Sequence, residues 1–485
     1  MRSRASSAAV KQRATIIVAW LHRWLGVATC LLLAMWFASG IVLLFVPFPA
    51  LPPKEQVRLM QSVPTARIAI APATAVRAVP DAQGIRLIAR AGRPVYVIDA
   101  RHRTTIIDAT TGAVLRKLGA AAAGWDARRR FGATASIAGP AFDHDQWVVH
   151  NRFDPYRPFY RIDLNDEEGQ QFYQSARTGE IVQRTDRRQR FWNWPGAVVH
   201  WLYLTPLRAN YAAWDRTVWW VSLVAAAGVT TGLVIGVVRT MAVRRTRRPG
   251  LTYFRQRWLR WHHLLGLFAG AFAFTWIVSG WLSMDHGRLF SRGIPDDTEV
   301  SDYAGLPLDR AAASLPPARL REAGDAAQLR IFAIGGRPFL AATRTNGDRD
   351  LLDVRGAPVS ARALDAQVRL GLAAAGFGTA LGPGQPVRPD DIYTLAEGWP
   401  PGTTRYAGAT GPALYVDADH ILTVMNTSRA AYAWAYYALH TFNFPGLTRR
   451  PALRRGVIVV PLLAGLLLSL TGVVIGWSRL RRALR

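Results

Sequence analysis

A single cysteine, Cys30, stands in 485 residues. Disulfides within the chain are thereby excluded, and so is covalent cofactor attachment through a Cys-x-x-Cys-His run. No Rossmann glycine fingerprint and no recognisable flavin domain occur, so the chain has no nicotinamide or flavin site of its own. Low-complexity tracts and long flexible linkers are missing too. Acidic residues are scarce, 32 against 60 Lys and Arg, for a net charge of +28. That excess does not imply nucleic acid, because the basic residues gather at particular edges of apolar runs.

The length calls for at least two folded units. Four segments are long and apolar enough to span a membrane: Ile16 to Val46, Thr217 to Val238, His262 to Met284 and Gly456 to Trp477. None carries a charge at its centre. Basic residues crowd the tail 1–15, the loop 239–261, where "RTMAVRRTRRPGLTYFRQRWLR" holds eight arginines and no acid, and the tail 478–485. All three fall on one side of a four-span topology, so the positive-inside rule places both termini and the loop in the cytoplasm. The large segments 47–216 and 285–455 then face the opposite side, the periplasm of a bacterium whose inner membrane holds the spans. The first span reads as a retained helix, being too long for a signal peptide and followed by "VPFPA", a poor cleavage site. Cys30 within it reads as helix packing.

The chain matches itself at an offset of 240. "LHRWLGVATCLLLAMWFASG" from Leu21 falls without a gap on "WHHLLGLFAGAFAFTWIVSG" from Trp261, placing His22 on His262, Trp36 on Trp276 and Ser39-Gly40 on Ser279-Gly280. "TGLVIG" from Thr231 falls on "TGVVIG" from Thr471, and "VVHWLYLTPL" on "ALHTFNFPGL", which sets His200 on His440. Such self-similarity predicts two parallel repeats of span, outer segment, histidine helix and span, related by an axis along the membrane normal. The expected fold class is membrane α-helical, four spans in two repeats, with two α+β outer domains. In these, strand-like runs such as "PVYVIDA" and "FYRIDL" alternate with the turn signals "TTG", "ARTGE" and "TNGD", and "PLDRAAASL" and "SARALDAQVRLGLAAAGF" read as helices. "PFPALPP" from Pro47 is a stiff exit from the membrane.

An ionisable residue inside a span is by default a functional-site hypothesis. The bland alternative for His22 and Arg23 is an interfacial ring and a snorkelling guanidinium. At 3.6 residues per turn, His22, Gly26, Thr29, Trp36 and Gly40 share one face, as do His262, Gly266, Ala269, Trp276 and Gly280. Small residues on such faces leave room for close packing or for a flat group. A twofold axis would bring His22 to His262 near one surface and His200 to His440 near the other. Two neutral imidazoles per site, without carboxylate or thiol, suit the axial positions of a haem iron, whereas zinc would want four ligands. His200 lies 17 residues before Thr217, in a separate helix at the membrane surface. His263 is the rival to His262. His102, His144, His150 and His420 read as surface or structural, and His286, without a counterpart in the first half, as a solvated histidine or one lining an outer site. Arg152, Arg157 and Arg161 could attract an anionic chelate, or simply form a solvated face.

At "LHRWLG", "FASG", "ALHTFNFPG" and "TGVVIG" the chain resembles the PepSY-associated transmembrane family, which includes iron-regulated inner-membrane proteins and ferric-siderophore reductases. "IIDATTGAVLRKL" and "FYQSARTGEIVQRT" look like the strand, Thr-Gly turn, strand signature of PepSY units; "LYVDADHILTVMN" lacks the Thr-Gly, and "VVHWLYLTP" departs from the Leu-His-Thr-Gly pattern. For its reductase members the resemblance implies b-type haems, two here, with His22, His262, His200 and His440 as ligands, and one-electron delivery to a periplasmic ferric siderophore or other ferric chelate. The electrons would come from a membrane quinol or a cytoplasmic donor. The rival readings are a haem-free scaffold whose PepSY units bind or inhibit a periplasmic peptidase, and a transporter, which the lack of acids and broken helices in the spans disfavours.

Overall fold

A computed structural model describes residues 2–101, 103–246, 250–291, 293–400 and 402–485, with backbone alone up to residue 11. His102 lies outside the described residues, as do Arg247, Arg248 and Pro249 of the basic loop. Four long helices are long and apolar enough to cross a membrane: α1 (Arg2–Phe45), α2 (Tyr211–Arg245), α3 (Arg257–Leu282) and α4 (Pro451–Ala483). Most extend past their apolar runs, because Arg and Ala are good helix formers and long basic side chains reach out of the apolar phase along the helix. Their ends follow from local chemistry. Pro47 stops α1, Asn210 caps α2 by accepting from the Ala213 amide at 3.1 Å, Gln256 does the same for α3 from Leu259 at 2.9 Å, and Pro451 opens α4.

The helices pack in a ring, α1 against α2 and α4, and α3 against the same two. Helices α1 and α3 therefore face each other across the diagonal. Close approach depends on glycine: a Cβ at Gly465 of α4 would overlap the ring of Phe37 on α1, and one at Gly270 would stand 2.9 Å from Leu233 Cδ2.

The segments outside the helices form three antiparallel sheets. The strands are β1 (Ala82–Arg90), β2 (Arg93–Ala100), β3 (Arg103–Asp108), β4 (Ser136–Ile137), β5 (Phe159–Asp163), β6 (Gln171–Ser175), β7 (Ile181–Thr185), β8 (Gln328–Ile334), β9 (Arg337–Thr343), β10 (Arg349–Leu352), β11 (Gln385–Pro386), β12 (Thr404–Tyr406), β13 (Ala413–Asp417) and β14 (His420–Met425). One sheet runs β10-β9-β8-β1-β2-β3, the others β4-β5-β6-β7 and β11-β12-β13-β14. The first takes strands from both segments, joined where Ile85 pairs with Ile331 and Leu87 with Leu329.

Alternation decides which side each residue buries. Leu87, Tyr96, Ile98, Leu329 and Ile331 enter one core, covered by the short helices 72–77 and 308–313. Ile88, Val95 and Val97 enter a second, and Phe332 and Ile334 meet Val368 and Leu372 of the helix 361–374 in a third.

Where the first segment returns to α2, Arg208 is buried to 2 % exposure with no carboxylate paired to it among the described residues. Its guanidinium lies 4.5–5.2 Å from the rings of Trp214, Tyr203 and Tyr211 and donates to Asn151 Oδ1 at 3.0 Å. Cation–π contacts of this kind, desolvated, are worth about 2 kcal/mol or more. His150 sits against Tyr203, its ring 6.3 Å away, and accepts from the Arg152 amide. Burial, then the charges of Arg208 and Arg152, push its pKa down to about 4, with Asp154 opposing.

Two outcomes follow from the packing. Gly465→Ala should lower stability by about 1–3 kcal/mol, the usual range for overpacking, read as a lower melting temperature of the purified protein in detergent. His150 binds fewer protons folded than unfolded between its ordinary pKa near 6.5 and about 4. Its contribution is therefore fully present above pH 6.5 and lost as pH falls towards 4. Melting temperature measured from pH 7 to 4 should fall less steeply in His150→Gln than in the unaltered chain.

Candidate functional site: two pairs of facing histidines

His22 on α1 and His262 on α3 meet across the bundle diagonal with ring centres 6.2 Å apart and planes inclined at 36°. The second pair, His200 and His440, has ring centres 6.5 Å apart and planes at 76°. All four residues singled out from the sequence are thus brought together two by two. Ser39, which touches His200, lies 17 residues beyond His22 on α1, about 26 Å along the helix, so the pairs are separated by nearly the apolar thickness of a bilayer.

The hydrogen bonds settle which nitrogen of each ring is free. His22 Nδ1 lies 3.1 Å from the Gly228 carbonyl, and His440 Nδ1 3.1 Å from the Trp276 carbonyl. A carbonyl only accepts, so both Nδ1 atoms carry the proton and donate. His200 Nδ1 lies 3.0 Å from Ser39 Oγ, whose own hydrogen goes to the Trp36 carbonyl; His262 Nδ1 lies 2.9 Å from Thr471 Oγ1, whose hydrogen goes to the Leu468 carbonyl. These hydroxyls accept from the rings. Every member of the two pairs is therefore an Nδ1–H tautomer with its Nε2 lone pair unclaimed among the described residues, the arrangement that hydrogen-bonded metal-ligating histidines adopt.

His263 lines the same cavity but is held differently. Its Nε2 donates to the Gly236 carbonyl at 3.2 Å, close to Thr240, and its ring abuts Phe254. The first pair opens on a cavity of about 280 Å³ between all four long helices. Glycine makes the room: a Cβ at Gly232 would stand 2.7 Å from His22 Cε1, and one at Gly26 would meet nothing within 4 Å. Cys30 also lines this space, its sulfur against Gly476.

The second pair depends on an irregular backbone. His200 follows a π-helical turn, Trp194–Val198, by two residues, and His440 follows Ala433–Ala438 likewise. Two residues further on, Leu202 and Phe442 take left-handed φ values of 52° and 55°. Wide turns and left-handed non-glycine residues persist where surrounding structure holds them, often at functional sites. They swing each ring onto a glycine of the facing helix, His200 Cε1 at 3.5 Å from a Cβ built on Gly40 and His440 Cε1 at 3.3 Å from one on Gly280. Between the pairs lies an apolar cluster in which Trp276 touches Phe37 at 6.0 Å and Phe442 at 5.7 Å.

The remaining histidines have other partners. His286 stacks on Trp219 with centres 5.0 Å apart and bonds Asp215 at 2.6 Å, at an exposed position. His144 is exposed. His420 lies beside Asp419, in a cluster with Asp417 that Arg330 and Arg349 neutralise. Of the arginines held out as an anion lure, Arg157 is buried and clamps Asp154 and the Asp143 and His150 carbonyls, and Arg161 pairs with Asp163 at 3.4 Å. Ser39, Ser279, Thr471 and Gly228, which orient the rings, had no role in the sequence reading. The signal was present, since Ser39 and Ser279 align at the 240-residue offset and Thr471 opens an aligned Thr-Gly.

A comparison with curated proteins finds no match. The family model described as the PepSY-associated TM region matches residues 19–479. That match spans all four long helices and both segments between them, and the chain belongs to the PepSY-associated transmembrane family.

Proposed function

We propose that the chain is an inner-membrane electron-transfer protein that holds two b-type haems, one at each histidine pair, and reduces a periplasmic ferric chelate, most naturally a ferric siderophore. The observation that carries this reading is the geometry of the pairs. The ring centres of the two pairs stand 6.2 and 6.5 Å apart, so His22 with His262, and His200 with His440, are the residues that would hold a shared metal centre. The open Nε2 lone pairs would supply the donors, and two imidazoles with no carboxylate in the cavity lining suit a haem iron, the Cys30 sulfur on the same wall lying against Gly476.

When bound, the haem iron would supply the one-electron chemistry. The chain's residues do the rest. Ser39, Thr471, Gly228 and Trp276 hold the ring tautomers, which keeps each Nε2 basic. Gly232, Gly26 and Gly266 leave space for a flat group beside the first pair. The positive-inside distribution puts the first pair near the cytoplasm and the second near the periplasm. Parallel repeats of α1–α2 and α3–α4 account for two sites at two depths. Electrons enter from a quinol or a cytoplasmic donor protein, since the sequence offers no flavin or nicotinamide motif.

Absorption spectra of the purified protein, oxidised and dithionite-reduced, with haem stoichiometry, test the reading. Two haems per chain are expected. His22→Ala or His262→Ala should each remove one, His200→Ala or His440→Ala the other, and His263→Ala should stay fully coloured. A colourless preparation from cells with ample porphyrin supply would overturn the haem reading in favour of a scaffold that binds a periplasmic peptidase. Dithionite-reduced protein should be reoxidised anaerobically by a ferric siderophore; persistence of the reduced spectrum with every chelate tried would remove the reductase claim alone.

A further inference from the structure

Three guanidinium groups, those of Arg23, Arg239 and Arg479, line the first-pair cavity at the end of the bundle that carries the basic loop. Two of them stand in matched places. Arg239 follows Gly232 by seven residues on α2, and Arg479 follows Gly472 by seven on α4. Those glycines are the residues that meet the rings of His22 and His262. Seven residues are almost two turns, so each arginine lies on the same helix face as its glycine, about 10 Å further along.

None of the three pairs with a carboxylate among the described residues. Arg239 rests over Phe254 at 5.2 Å, and Arg23 lies close enough to Arg479 for their charges to repel. Like charges gathered on one cavity without a counter-charge form a site for an anion. The guanidinium fork matches a carboxylate in shape as well as charge.

We propose that Arg239 and Arg479, assisted by Arg23, bind the two carboxylates of the tetrapyrrole seated at the first pair. The inference rests on the haem reading given above. It assigns an orientation, with the carboxylate edge towards the basic loop, and a second role: fixed positive charge near the iron favours the reduced form. Lipid headgroup phosphates could also meet these arginines, and the test separates the two.

Full-length protein in nanodiscs of zwitterionic lipid, loaded with haem, is compared with Arg239→Gln, Arg479→Gln, the double Gln variant and the double Lys variant. Haem loss to a scavenging apoprotein and optical redox titration are followed for both haems. In the double Gln variant the first-pair haem should leave about tenfold faster or more, as expected for losing charge-assisted hydrogen bonds. Its midpoint potential should fall, that of the second pair should not, and the double Lys variant should keep the potential near that of the unaltered chain. If the double variant fails to accumulate, the single variants decide by the same readouts. Unchanged loss rate and potentials in these discs would overturn the proposal, as would effects of the Gln variants that appear only when the discs contain anionic lipid. Absence of haem from the unaltered protein would instead sink the parent reading.

Discussion

The structure depends on one requirement: an imidazole within an apolar bundle must have its N–H satisfied there, because an unpaired polar group is costly away from water. Each of the four paired rings meets it through a carbonyl or hydroxyl of an adjoining helix. The contacts are specific. His22 on α1 needs the Gly228 carbonyl of α2, and His262 on α3 needs Thr471 of α4, so the diagonal pair is positioned by the two helices flanking it. That dependence in turn requires Gly232 of α2, since a side chain there would occupy the place of His22.

A second constraint acts outside the helices. Strands β1 and β8, about 240 residues apart in sequence, lie side by side in one sheet and bury both faces. The sheet ties the segment after α1 to the segment after α3. The helices are joined to each other at one end by the short connection from α2 to α3, and through the sheet at the other.

Much of this was legible in the sequence. The four apolar runs, the histidines at matched offsets and the alternating strands of "PVYVIDA" and "FYRIDL" all rest on local patterns that survive into the fold. What escaped was non-local or irregular. Nothing in "IRLIAR" or "LRIFAI" says that these two strands pair with each other, because alternation gives a face and not a partner. The seating of His200 turns on a π-helical turn and a left-handed Leu202; Pro195 and Gly196 mark the break in the sequence, but not the wide turn or the positive φ of a leucine that follow it. The roles of Ser39 and Thr471 lay hidden because their partners are 161 and 209 residues away. Arg157 looked like a solvated charge and is a buried clamp, a difference that only the carbonyls of Asp143 and His150 reveal.

The shared sheet has a bearing on electron movement under the proposed function. A metal centre that changes valence exchanges electrons quickly when its ligands need not shift between the two states. Stitching the halves together by a ladder of main-chain bonds would limit how far the rings can drift. The six strands would then serve as a stiffener for centres they never touch, keeping the reorganisation demanded by each passing electron small.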